Sequence, residues 1–344
     1  MRRRDILRSS AFLTIGAVST SILGSCEQQT APKDAASPAP QTSSTSKSPL
    51  RIALIPWIGW GSAHLAEVKG FFKEEGIEVQ HTAFQTVTEV NTALLSKKID
   101  MSWLVALDLL VLAKESPGLK FIYASDYSGE ADAIVGNGIN SAADLKGKKL
   151  AREDIPYEVV FTNKYLAAQG LTEKDVKIES LAVADAHAAF IAGKVDAATI
   201  YEPFITKALK GRPGSKVLYT AKGTNTIANG LAADSSVLQS RKQDIMAYLR
   251  AIEKGMKFAT ANPQEANALL AKWVGATPAE VTAQMPLVRI MDLAANKSIV
   301  FDEKNPLNAI NSIDSAAPLL VKAGKITKVL AGKDLVDSSF VKAL

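Results

Sequence analysis

The chain has 344 residues, 47% of them hydrophobic, a formal charge of +5 and one cysteine. Arg2, Arg3, Arg4 and Arg8 against Asp5 place most of that charge in the first 26 residues, leaving about +2 for the remainder. A balance so near neutral excludes the broad basic field that nucleic-acid binding needs. One cysteine cannot build a disulfide framework.

The basic start is followed by an uncharged stretch of small and apolar residues that closes on Leu23-Gly24-Ser25-Cys26. That pattern reads as an export signal over residues 1–26. Adjacent arginines before Ile6 and Leu7 resemble a twin-arginine signal, and Leu-Gly-Ser-Cys resembles a lipobox in which the Cys26 thiol is acylated. The plain alternative is an ordinary cleaved signal in which Cys26 has no role. Residues 27–49 are small, polar and proline-containing with little to bury, the composition of a disordered tether. No stretch beyond residue 26 has 18 uncharged apolar residues in a row, so no later membrane span is expected.

Residues 50–344 are long enough for two domains. Leu50 to Ile55 reads as a strand stopped by Pro56, and Trp57-Ile58-Gly59-Trp60-Gly61-Ser62 reads as a loop. A helix running to Phe72 follows, with Ser62 as its candidate cap. Strands are expected at Ile77–Phe84, Phe121–Ser125, Ala131–Val135, Val176–Leu181 and Val195–Ile200. Helices are expected at Tyr157–Gln169 and Ala184–Ala192. This alternation predicts an α/β architecture with largely parallel sheets. From about residue 235 the pattern turns helical, through Asp244–Thr260, Pro263–Val274, Pro278–Leu287 and Ile310–Ala323.

Enzyme signatures are missing. The chain has no Gly-x-Ser-x-Gly elbow, no phosphate loop and no His-Glu-x-x-His. Its three histidines, His64, His81 and His187, have no metal-ligand spacing, so neither a metal nor a cofactor is expected. Trp57 and Trp60 stand beside glycines at the carboxyl end of the first strand, the edge where open α/β sheets hold ligands. Aromatic walls with a few placed polar groups describe a small-molecule pocket. The alternative for either tryptophan is simple core packing.

Four segments follow one another in register: Phe71-Phe72-Lys73-Glu74-Glu75-Gly76-Ile77-Glu78-Val79, Ala93-Leu94-Leu95-Ser96-Lys97-Lys98-Ile99-Asp100, Asp144-Leu145-Lys146-Gly147-Lys148-Lys149-Leu150, and Ala189-Phe190-Ile191-Ala192-Gly193-Lys194-Val195-Asp196, with Glu202-Pro203-Phe204 after them. Together they resemble the substrate-binding proteins of ABC importers of the nitrate, sulfonate and taurine type, a family that includes binders of thiamine pyrimidine precursors. The resemblance implies a two-lobe periplasmic-binding-protein fold (type II) whose lobes are joined by two crossing strands, with the helical tail on the first lobe. It places lobe 1 at 50–135 and 231–344, lobe 2 at 136–230, and the crossings near Ala133–Asn137 and Ala228–Asp234.

The same resemblance implies a small-molecule ligand held between the lobes by Trp57, Trp60, Ser62, His64, Thr88, Trp103, Asp126, Asp132, Tyr157, Glu158, Tyr201 and Glu202. It implies a monomer that meets an ABC permease in the inner membrane, tethered through Cys26 on the periplasmic side, or on the cell surface where no outer membrane exists. One departure concerns charge. Anion binders of the family often have small hydroxylated residues where this chain has Ile155-Pro156-Tyr157-Glu158, and a carboxylate there repels a sulfonate or nitrate. The expected ligand is therefore a guanidinium, amidine or amine, with an anion or a neutral amide as the alternative. A non-enzymatic role is expected; an enzyme on the same scaffold, or a solute sensor, is the competing reading.

Overall fold

The computed structural model describes residues 48–344. The expected signal, the acylation at Cys26 and nearly all of the tether lie outside the described residues.

Two mixed sheets organise the chain. The first has the order β11-β4-β10-β3-β1-β2, built from β1 (Leu50–Leu54), β2 (Val79–Ala83), β3 (Met101–Val105), β4 (Leu119–Ser128), β10 (Ala228–Asp234) and β11 (Val288–Ile290). The second has the order β7-β6-β8-β5-β9, from β5 (Asp132–Asn137), β6 (Lys149–Arg152), β7 (Lys177–Ser180), β8 (Ala197–Tyr201) and β9 (Ser215–Thr220). The chain passes to the second sheet between Ser128 and Asp132 and returns between Thr220 and Ala228. The boundaries expected at 135/136 and 230/231 thus fall inside β5 and β10.

Largely parallel sheets were expected from the alternation, and only part of each sheet obeys. β1 pairs parallel with β2 and β3, and β6 with β7 and β8. β10 runs antiparallel to β3 and β4, and β5 antiparallel to β8 and β9. The reason is topological: a strand that arrives from the other lobe enters its sheet opposite to strands delivered by helical crossovers.

The helical C-terminal part covers the first sheet, as expected. Lys242–Ala261 lies against the Gly61–Val68 helix, and its Tyr248 is fully buried. The Tyr248 hydroxyl accepts from Trp103 Nε1 at 3.1 Å and stands 3.1 Å from His81 Nε2, while its ring stacks on Phe72 at 5.0 Å. Burying one such large side chain contributes about 1.5–3 kcal/mol. Local signals match the helix starts in places. Thr86 and Glu89 form a reciprocal capping box on Val87–Leu95, which satisfies two otherwise free backbone donors. Ser62 does not cap: the helix begins one residue earlier, at Gly61, and the Ser62 hydroxyl is buried without a hydrogen-bond partner among the described residues.

Candidate ligand-binding cleft

Between the two sheets lies a cavity of about 30 Å³, walled by Trp57, Trp60, Trp103, Tyr157 and Tyr201 together with aliphatic side chains, Asp132 and Asn229. By the usual measure one water needs roughly 10–15 Å³ of such space, so the closed cleft suits a solute of few heavy atoms. Among the described residues no lysine, arginine or histidine lines it.

The loop after β1 delivers the first two aromatics. Ile58–Trp60 forms a 3-10 turn in which Trp60 N donates to Trp57 O at 2.9 Å. Residues three apart share a face in such a turn, which sends both indoles to the cavity. Gly59 is required there, because an added Cβ would run into the Asp126 carboxylate and Trp57 Nε1. Trp57 meets Tyr201 of β8 edge-on at 5.6 Å, and Trp60 packs on Trp103 at 5.9 Å. Offset and edge-to-face ring pairs are favourable geometries. The first pair joins one sheet's residues to the other's.

Carboxyl groups crowd this region. Asp132, at the start of β5, is 5% exposed and has no ion-pair partner among the described residues. Burial pushes its pKa up to about 7, and the neighbouring Asp126 adds to the rise. Asp126 is fully buried and stands just behind the lining, accepting from Trp57 Nε1 at 3.3 Å, Ser125 Oγ at 2.9 Å and Asn229 Nδ2 at 2.7 Å. Burial takes its pKa to about 6 despite those donors. Glu158 is buried behind Tyr157, whose hydroxyl donates to it at 3.3 Å, and it also accepts from Glu153 N at 2.6 Å. Burial and then Glu153 hold its carboxyl well above the ordinary range.

The buried Arg152 is already engaged, with Asp154 at 3.1 Å, Glu173 at 3.0 Å and Glu153 O at 3.2 Å. The site therefore combines aromatic faces with negative potential and offers no positive group. Such faces attract cations through the ring quadrupole.

Not every expected residue reaches this cavity. His64, on the Gly61–Val68 helix, stacks on Trp273 at 5.1 Å instead. Ser62 faces a separate groove beside the Lys242–Ala261 helix. Thr88 works between the lobes, donating to Glu153 Oε1 at 2.7 Å. Glu202 stands apart, holding Thr206 Oγ1 at 2.9 Å and Gln284 Nε2 at 3.3 Å. Sequence reading missed Asn229, Ile227 and the aliphatic wall of Val87, Val90, Leu104 and Val105. Val87 and Val90 stand on one face of the Val87–Leu95 helix, and that face looks into the cleft.

Several contacts hold the lobes shut around the cavity. Lys325 Nζ meets Asp154 at 2.5 Å, Lys210 Nζ meets Glu280 at 3.1 Å, and Asn225 Nδ2 donates to Asn308 O at 3.0 Å. Two mixed sheets, crossing strands and a closed cleft define the periplasmic-binding-protein fold.

Solved structures agree. The alkanesulfonate-binding protein SsuA of Xanthomonas axonopodis pv. citri, bound to MOPS, superposes with a TM-score of 0.72 at 19% identity, covering 86% of this chain and all of that one. SsuA of Escherichia coli gives 0.71 at 19%, covering 85% and 93%. Among curated relatives, a Bacillus subtilis protein named for aliphatic sulfonates binding is 26% identical over 294 residues, 81% of this chain and 83% of the relative. The NMT1/THI5-like family model matches residues 62–266. The chain belongs to that family.

Proposed function

We propose that this protein is the extracytoplasmic solute-binding component of an ABC importer, anchored by a lipid on Cys26, and that its solute is a small nitrogen-rich cation of the guanidinium, amidine or amine class. The carrying observation is the cavity's make-up: five aromatic side chains and Asp132, with no basic group. Relatives named for sulfonates support the transport reading. They do not transfer the charge of the ligand, because a sulfonate here would meet carboxyl groups and no counter-charge.

Asp132 and the Asp126 carboxyl behind Trp57 supply the negative potential, and the rings supply walls and cation–π attraction. Closure of the lobes by hinge motion would then present the loaded form to a permease. Binding without turnover is the reading favoured by the residues: His64, His81 and His187 all stand outside the cavity lining.

The test is mass spectrometry under native conditions of the full-length protein as purified, followed by thermal-shift titration with guanidinium, acetamidine, methylamine, methanesulfonate and nitrate. A bound or stabilising cation is expected. Stabilisation by the anions alone would overturn the charge assignment, and no shift with any solute would overturn the transport reading.

A further inference from the structure

The helix Pro156–Ala168 begins at the wall of the cleft, and its N-terminus is built without a cap of its own. Ile155, at the N-cap, has no side-chain acceptor, and Pro156, the first helical residue, has no N–H to donate. Tyr157 N is thus the first donor of the helix. Tyr157 itself lines the cavity. A helix start with an uncapped donor attracts acceptors, anions above all, through its aligned N–H groups and dipole.

That position is filled from the other lobe. Asp108, in the turn after β3, is completely buried, and its Oδ1 accepts from Tyr157 N at 3.2 Å. Its second oxygen, Oδ2, is buried with no hydrogen-bond partner among the described residues. Burial, with a contribution from Glu153, raises the carboxyl to about 8 even though the Tyr157 N–H pulls the other way. The acceptor therefore sits in place at neutral pH, behind the Tyr157 wall of the cavity, without adding a full charge there.

We infer that Asp108 is a specificity-determining residue: it occupies the hydrogen-bonding position at this helix N-terminus that an anionic solute would need, and so closes the cleft to anions. The inference rests on the cleft being a solute site, and it does not depend on the solute being a cation. Because the contact joins the two lobes, the same carboxyl also helps complete the closed form.

Isothermal titration of the full-length protein with methanesulfonate, for the wild type, Asp108→Ala and Asp108→Asn, tests it. Asp108→Ala is expected to bind methanesulfonate at least tenfold more tightly than the wild type. Asp108→Asn, whose amide oxygen can still accept from Tyr157 N, should stay at the wild-type level. Asp108→Ser serves the same purpose as the alanine variant if that one does not give a native circular-dichroism spectrum. A folded Ala or Ser variant with no gain would overturn the inference, as would wild-type protein that binds methanesulfonate as tightly as either. Guanidinium titration of the wild type reports separately on the proposed solute class, so a failure there leaves the methanesulfonate comparison intact.

Discussion

Asp132 concentrates the chemistry of the cleft in one side chain. Its carboxyl faces an aromatic cavity without a pairing cation, so an incoming cation gains most of its Coulomb attraction there. Replacing it by Asn is expected to weaken binding of a guanidinium or amine at least tenfold, about 1.4 kcal/mol, measured by calorimetry. An unchanged affinity would show that the carboxylate is not part of the site. The same residue makes the empty protein sensitive to pH. Its folded-state pKa is raised to about 7, so below the ordinary carboxylate range it costs nothing. As pH rises towards and through that value the unfolded chain sheds its proton first and stability falls. Asp132→Asn should therefore raise the Tm of the ligand-free protein at pH 8, by about 2 °C for each kcal/mol recovered, and change it little at pH 4. A stabilisation that is equal at both pH values would contradict the assignment.

At the scale of elements, the close packing of the Gly61–Val68 and Lys242–Ala261 helices depends on Gly255. An added Cβ there would collide with the Ser62 backbone carbonyl. Gly255→Ala is expected to destabilise by about 1–3 kcal/mol as an overpacked core does, read from chemical denaturation; a neutral result would mean that the two helices can slide apart freely. The elements were largely legible in the sequence because their signals are local. Pro263 at a helix start and the helix end before Gly193 declare themselves within a few residues. Ser62 and His64 misled for the same reason. Once the helix begins at Gly61, successive side chains turn by about 100°, and these two are carried off the cleft face that Trp57 and Trp60 reach. Asp108 was not legible at all. Its partner is 49 residues away in the other lobe, and no local pattern marks a helix whose cap is supplied from a distance.

For the whole molecule, the question is what keeps two lobes closed and what solute they close upon. The resemblance carried by four short segments gave the architecture, since the order of those segments is a property of the full chain. It could not give the ligand's charge, which depends on side chains brought together only by closure: Trp57 with Tyr201, Thr88 with Glu153 and Tyr157 with Asp108. Removing one cross-lobe bond should loosen that closure. Thr88→Ala removes the side-chain donor to Glu153 while leaving the Thr88 backbone N–H in place, and is expected to raise the radius of gyration of the empty protein in small-angle scattering, with saturating solute restoring it; an unchanged value would assign closure to the remaining contacts. The central claim, that the cleft takes a small cation, is tested most directly by isothermal titration of the full-length protein with guanidinium, acetamidine and methylamine beside methanesulfonate and nitrate. The account predicts saturable binding of at least one cation and no heat of binding from the anions, whereas saturable binding of an anion with none from the cations would contradict it.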